Sequence, residues 1–167
     1  MSTTQATVTV ARHHDKLVAI LTQPVNAPKP TIWQVMTDHP GYADVADNLS
    51  KVEVLSGEGL CMQRRCAGPK GESWGETCDH FVEGQSFGFR VHTDAPDYPY
   101  PFAAIHGEWR IVDLDDGAGF EIEIHITPKG SWFSKLMIRL VAVPKFKSVL
   151  FTLGQGWAAR MEQDTAS

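Results

Sequence analysis

The spacing of the apolar residues changes near residue 128, from the alternation of a strand to the period of a helix. Phe120, Ile122, Ile124 and Ile126 alternate with polar residues, which is the pattern of a strand with one buried face. After the Pro-Lys-Gly turn at 128–130, apolar residues recur every three or four positions as far as residue 161. The chain is therefore expected to end its sheet at this turn and to finish in a long C-terminal helix.

Turn signals divide the preceding sequence into further strands. Residues 5–22 are counted as one strand, which a bulge or a turn interrupts at 13–16. The later segments, in which apolar and polar residues alternate, are separated by turns that contain glycine, at 56–59, 68–71, 83–84 and 115–117. The sequence predicts a curved antiparallel sheet of seven strands, with an apolar inner face and a polar outer face.

Two short helices are expected after the first strand. Pro30 suits the first turn of a helix, where its missing N–H leaves no hydrogen bond unmade. This helix should end near Asp38, because Pro40-Gly41 cannot continue it. A second short helix or a turn follows around Tyr42. In the long C-terminal helix, Pro144 is expected to cause a kink or a break.

The Glu-Gly pair at 83–84, taken as a two-residue hairpin loop, fixes the predicted register of the strands that it joins. His80 then opposes Phe87, and Glu76 opposes Val91. In this register both Glu76 and His80 lie on the inner, otherwise apolar face of the sheet. A carboxylate and an imidazole in such a place would have shifted pKa values and could act as acid or base.

Composition narrows the class of protein. The 167 residues suit a single domain, 1–167, with a core at about 5–162. A formal net charge of -5, with Arg64-Arg65 as the longest basic run, argues against a nucleic-acid partner. No apolar segment is long enough to span a bilayer, and no signal-peptide pattern opens the chain. Three cysteines without Cys-x-x-Cys spacing predict free thiols in the cytoplasm, and no metal or cofactor is expected.

Several segments, in this order along the chain, resemble the START-like (SRPBCC) superfamily, in particular its polyketide cyclase/dehydrase and coenzyme Q-binding branches. They are Gln-Pro-Val at 23–25, Ile-Trp-Gln-Val-Met-Thr-Asp at 32–38, Tyr42, Val-Glu-Val-Leu-Ser-Gly-Glu-Gly at 52–59 and Gly-Glu-Trp-Arg-Ile at 107–111. The resemblance implies an α+β helix-grip fold, in which the sheet wraps around the C-terminal helix. It also implies a cavity between them for a hydrophobic small molecule such as a lipid, a quinone or a polyketide.

The side chains expected to line that cavity are the inward-facing residues of the strands and helix, together with the aromatic residues of the loop 94–104. They are Trp74, Cys78, Phe87, Phe89, Val91, Tyr98, Tyr100, Phe102, Trp109, Ile122, Ile124, Leu153 and Trp157. Two interpretations stay open for several of them. The loop aromatics form a lid or cover the end of the core, and the two tryptophans line the cavity or fill it.

Three functions are compatible with these features. The first is a binding protein or carrier for a hydrophobic small molecule. The second is an aromatase/cyclase-type enzyme that uses Glu76 and His80, unless these residues lie at wet strand ends or pair with Arg64 or Arg65. The third, an interaction module for a protein partner, would need a large exposed apolar patch.

Two further groups of residues each have a structural and a functional interpretation. His92, His106 and His125 are expected on the outer face, as part of a solvated polar surface rather than a metal site. Gly154 and Gly156 weaken the C-terminal helix, so they either leave room for a ligand or let another segment approach closely.

Overall fold

A computed structural model describes residues 5–167, apart from the side chains of residues 133 and 137. The strands are β1 Thr7–His13, β2 Lys16–Val25, β3 Lys51–Ser56, β4 Gln63–Ala67, β5 Ser73–Val82, β6 Ser86–Val91, β7 Phe102–Leu114 and β8 Gly117–Pro128. The helices are α1 Lys29–Thr37, a 3-10 helix Pro40–Asp44 and α2 Trp132–Ala166. The α+β class, the two short helices and the long C-terminal helix are confirmed.

The strands form one antiparallel sheet in the order β1-β2-β8-β7-β6-β5-β4-β3. This gives eight strands where the sequence predicted seven, because the predicted first strand is a hairpin. Arg12 pairs with Leu17 and His13 with Lys16 across it, and His14 takes a positive φ of 57° at the turn. Alternation along 5–22 is the same for one long strand and for two strands in register, so it did not separate the two cases.

The predicted register of β5 and β6 holds at one end and fails at the other. Glu76 opposes Val91 as expected, but a bulge follows Cys78, and His80 opposes Gly88 instead of Phe87. The extra residue transfers His80 to the outer face, where its Nε2 lies 2.8 Å from the Ser86 hydroxyl. The predicted inward position of His80 is therefore wrong.

Helix α2 packs along the inner face of the sheet and meets two apolar clusters. Its second half buries Leu150, Leu153, Trp157 and Met161 in the larger one, here called the main core. Its first half covers a smaller group built on Leu17, Phe102 and Ile126, here called the second cluster. Pro144 lies inside the helix, which continues through it as one element.

Both glycines of α2 are sites of close approach. A Cβ atom on Gly154 would lie 2.8 Å from a methyl group of Leu21, and one on Gly156 would lie 2.9 Å from Val45. The interpretation in which another segment approaches the helix closely therefore applies to both positions. Among the residues described, no helix is long and apolar enough to cross a membrane.

Candidate functional site

A buried ion pair lies on the inner face of the sheet. Arg64 of β4 and Glu76 of β5 are register partners on adjacent strands, so their side chains leave the sheet side by side. Arg64 Nη2 lies 2.7 Å from Glu76 Oε2, and the two side chains are 3% and 9% exposed. Trp74 Nε1 donates to the other carboxylate oxygen at 2.8 Å. The carboxylate of Glu76 is thus bound on both oxygens.

Aromatic rings surround the guanidinium of Arg64. Its central carbon lies 3.7 Å from the ring centre of Phe89, 5.6 Å from that of Tyr42 and 5.7 Å from that of Trp109. A cation in contact with ring faces gains electrostatic attraction that offsets part of its lost hydration. Burial by itself would lower the pKa of Arg64, but the carboxylate of Glu76 raises it, so the group stays charged.

His39, at the start of the 3-10 helix, completes this polar cluster. Arg64 Nη1 lies 3.0 Å from His39 Nδ1. Because a guanidinium can only donate, Nδ1 must accept the hydrogen bond and the imidazole is neutral. Burial and then the charge of Arg64 lower the pKa of His39 from 6.5 to about 3. His39 therefore carries no proton on Nδ1 at neutral pH and serves to hold Arg64.

The two buried cysteines lie where the charged thiolate form is disfavoured. Burial raises the pKa of the thiols of Cys66 and Cys78. Only a thiolate is a good nucleophile or metal ligand, so neither thiol suits covalent catalysis or metal binding. Cys61 is exposed, and all three cysteines are free.

Most of the predicted cavity wall is packed into the main core. The rings of Phe87 and Trp109 stack with centres 5.3 Å apart, and Trp157 contacts the rings of Tyr42 at 5.0 Å and Phe120 at 5.5 Å. The indole N–H of Trp157 is buried without a hydrogen-bond partner among the described residues. In this structure the two tryptophans fill the space between sheet and helix at the main core.

A different part of the inner face is only half-buried. Ile124 faces inwards between Ile122 and Ile126, which are 0% and 1% exposed, yet Ile124 itself is partly exposed. Tyr98 and Tyr100 of the β6–β7 loop are also half-buried and pack against the second cluster. Their rings lie 5.9 Å apart, and Tyr100 contacts Trp74 at 5.6 Å. We call Trp74, Tyr98, Tyr100 and Ile124 the half-buried patch.

The structure thus separates the predicted site residues into groups. Glu76 is buried in the ion pair, and His80 lies on the outer face. Of the half-buried patch, Tyr98, Tyr100 and Ile124 pack against the second cluster, and Trp74 packs against the main core and contacts Tyr100. The remaining predicted lining residues are buried by their neighbours: Cys78, Phe87, Phe89, Val91, Phe102, Trp109, Ile122, Leu153 and Trp157.

Sequence reasoning did not assign His39 and Tyr42 to the site, and it named Arg64 only as a possible partner of Glu76. The signal for Arg64 was its even spacing from Cys66, which predicts a shared face of β4. The position of His39 had no such signal, because it lies just before the 3-10 helix, in a segment without an apolar period.

Each of the three histidines on the outer face contacts a polar side chain of the same sheet. His106 lies 2.9 Å from Asp79, His92 lies 2.7 Å from Thr77, and His125 contacts Glu123. Within the described part of the chain, no group of three or more histidine, cysteine or acidic side chains is arranged to hold a metal ion.

Two surface cavities lie at opposite ends of α2. One has a volume of about 280 Å³ and lies between the β1–β2 hairpin and the first turns of α2, around Trp132. The other has a volume of about 510 Å³ and lies between the β2–α1 connection and the last turns of α2, around Thr165. Neither of these two cavities is lined by the ion pair or by the half-buried patch.

An antiparallel sheet that holds a long C-terminal helix against its inner face defines a helix-grip protein of the START-like class. The chain belongs to the polyketide cyclase / dehydrase and lipid transport family, whose profile matches residues 25–153. The resemblance seen in the sequence is thereby confirmed. A comparison with curated protein sequences finds no match.

Solved structures share the fold at low sequence identity. The Zhui aromatase/cyclase from a Streptomyces species superposes with a TM-score of 0.66 at 19% identity, over 89% of this chain and 93% of that one. A protein from Thermus thermophilus gives 0.69 at 16% identity, over 90% and 99% of the two chains. Ara h 8.0201 gives 0.61 at 10% identity, over 86% and 97%. At these identities the likeness concerns the fold alone.

Proposed function

We propose that this protein binds a hydrophobic small molecule against the half-buried patch, between the β6–β7 loop and the first half of α2. The observation that carries the proposal is the partial exposure of Ile124. This residue points inwards from a strand in the middle of the sheet, where its neighbours on the same face are fully buried. A filled interior would close this position, so its exposure supports a space that an apolar ligand can enter.

The chemistry of the patch supports a mainly apolar ligand with few polar contacts. Burial, and then the neighbouring Tyr100, raise the pKa of Tyr98, while burial and then Glu72 raise the pKa of Tyr100, so both phenols keep their protons. Trp74 joins the patch to the buried carboxylate of Glu76, whose charge the guanidinium of Arg64 balances. Such a site suits a lipid, a quinone or a polyketide-like molecule, and the description of the family names polyketide cyclases and lipid transport.

A cytoplasmic location fits this function. The three free cysteines, two of them buried, support a reducing compartment. The location stays a prediction.

The test fills the proposed space and measures binding of the neutral apolar dye Nile red. Ile124→Trp adds an indole at the patch, and we expect it to weaken dye binding at least about tenfold. Ile20→Trp is the matched control, because Ile20 lies on the neighbouring strand and opposes Glu123 on the outer face. Unfolding curves and circular dichroism establish that both variants are folded. Equal dye affinity in the two folded variants would refute the proposed site.

A second candidate function is acid–base catalysis by Glu76 on a ligand at the same site. Its support is the buried position of the carboxylate beside the patch. If Glu76 reacts, Glu76→Gln should bind a polyketide-type substrate normally but convert it at least about 100-fold more slowly. Loss of His80, which lies on the outer face, should leave the rate unchanged. Unaltered turnover by Glu76→Gln would leave only the binding function.

A further inference from the structure

The charges of the chain are unevenly distributed along the sequence. Residues 124–161 contain six lysines and arginines and no aspartate or glutamate, although the whole chain has a formal net charge of -5. One of the six, Arg160, pairs with Asp38. The other five lie between Lys129 and Lys147, and none of them forms an ion pair within 4 Å among the described residues.

The first half of α2 also presents large apolar side chains to solvent. Trp132, Leu136 and Leu140 follow each other at four-residue intervals and are 76%, 38% and 64% exposed. Residues at this spacing share one face of a helix. Val141 and Phe151 are exposed further along the same helix. Leu136 and Leu140 belong to the apolar period that predicted the helix, and a period alone does not show which of its residues stay exposed.

The cavity of about 280 Å³ is lined both by basic residues and by the exposed apolar residues of α2. Trp132 and Leu136 form part of its apolar lining. Four cations stand around it: Arg12 and Lys16 from the β1–β2 hairpin, and Lys135 and Arg139 from α2. Asp15 is the acidic residue that also lines it. We call Arg12, Lys16, Trp132, Lys135, Leu136, Arg139 and Leu140 the basic apolar face.

We infer that the basic apolar face docks on the surface of a bilayer that contains anionic phospholipids. Lysines and arginines that flank exposed tryptophan and leucine on one helix are the pattern of an interfacial helix. The cations attract anionic headgroups, while the apolar side chains enter the boundary with the acyl chains. An acidic protein would satisfy the charges, but it would leave the protruding apolar side chains without the hydrocarbon that best accommodates them.

The charge of the remainder of the molecule favours one orientation on the bilayer. Outside residues 124–161 the acidic residues outnumber the basic ones by a wide margin. An anionic surface therefore repels the rest of the chain and attracts this face. The same half of α2 covers the second cluster and contacts Phe102 through Phe146. Docking here would place the half-buried patch near the lipid, which goes beyond the proposed binding of a ligand.

The test is co-flotation of the full chain with vesicles. Phosphatidylcholine vesicles with and without about 30% phosphatidylserine are compared at about 0.1 M and about 0.5 M salt. We expect binding to the anionic vesicles alone at low salt, and a marked loss of binding at high salt. No binding to anionic vesicles, or equal binding to both kinds, would overturn the inference.

Two double variants separate the contributions of charge and apolar contact. Lys135→Gln/Arg139→Gln should bind about 25-fold more weakly, because each cation near an anionic surface contributes roughly fivefold. Trp132→Ser/Leu140→Ser should also bind more weakly, with its salt dependence retained. Arg65→Gln/Arg90→Gln is the control, because it makes the same charge change on the outer face. Equal loss in the control and the Lys135/Arg139 variant would contradict docking by this face.

The inference and the proposed function can fail separately. Ile124→Trp, which fills the proposed ligand space, should bind anionic vesicles as the unmodified chain does. The Lys135/Arg139 variant should bind Nile red normally. If the chain binds an acidic protein but no vesicle, the face has another occupant and the inference is wrong.

Discussion

The polar residues at the centre of this protein depend on one another. Arg64 binds the carboxylate of Glu76, the ring nitrogen of His39 and the ring face of Phe89. Each of these contacts replaces part of the water that the guanidinium loses on folding. If one partner of a buried ion pair is removed, the other is left as a charge that water cannot reach. The removal of either partner should therefore lower the stability of the fold.

Arg64→Met should therefore destabilise the fold by about 3–5 kcal/mol, since it leaves Glu76 charged and buried without its partner. Arg64→Met/Glu76→Leu should recover most of that loss, because the uncompensated charge is gone. Urea unfolding at neutral pH measures both. Lys51→Met is the control, since Lys51 pairs with Glu53 in solvent, and it should change stability by less than about 1 kcal/mol. A loss of that small size in Arg64→Met would contradict the prediction.

His39 should make stability depend on pH. Its pKa is about 3 in the folded protein and 6.5 as the reference value. Below pH 6.5 the unfolded chain binds a proton that the folded protein does not, so stability falls as the pH is lowered from 6.5 towards 3.

Unfolding free energies measured between these pH values should show this loss, with a slope of at most about 1.4 kcal/mol per pH unit from this residue. His39→Gln keeps an acceptor for Arg64 but has no titrating group, so its slope should be smaller. An NMR titration in which His39 takes up a proton near pH 6.5 would show that the ring is not held neutral.

At the scale of elements, α2 is shaped by its two glycines and by the segments that approach it. Gly154→Ala should stabilise the helix by about 1 kcal/mol through propensity alone. Its Cβ, however, would meet Leu21 and Gln23 at 2.8 and 3.1 Å, and overpacking costs about 1–3 kcal/mol. We expect a net loss of up to about 2 kcal/mol in urea unfolding. Ala159→Gly is the control: it lies at an exposed position of the same helix, so it measures the effect of helix propensity without a change in packing. A gain of stability in Gly154→Ala would show that Leu21 and Gln23 move aside at no cost and would contradict the prediction.

The strands of the sheet show which features of the elements the sequence predicted correctly. The periodic pattern predicted β8 within one residue at its N-terminal end, and the β5–β6 pairing of Glu76 with Val91. The prediction failed at His80, because the extra residue of the bulge turns the side chains that follow it to the opposite face of the sheet. A second irregularity is then needed to restore the predicted pairing. Here the three-residue loop 83–85 does so, and Phe87 and Phe89 remain on the inner face.

At the scale of the whole molecule, the two apolar clusters divide α2 into halves of unequal burial. The second half reaches the main core, whereas the first half rests on the smaller cluster and exposes Leu136 and Leu140. Local opening is easiest where few apolar contacts hold an element. Amide hydrogens of 134–146 should therefore exchange sooner than those of 150–161 in a hydrogen–deuterium exchange experiment. A bound apolar ligand should slow exchange at 98–102 and 134–146, and leave the β1–β2 hairpin unchanged; uniform protection along α2 would contradict this division.

The sequence by itself determined the one-sided strands, the helix that follows the last turn and the family to which the chain belongs. These follow from the period of apolar residues and from short segments, which are local properties of the chain. Only the tertiary structure decided that His80 faces outwards, that His39 accepts from Arg64, that the two tryptophans fill the main core and that Ile124 stays partly open. Each of these depends on contacts between residues far apart in sequence, and no local period encodes how closely the helix and the sheet meet.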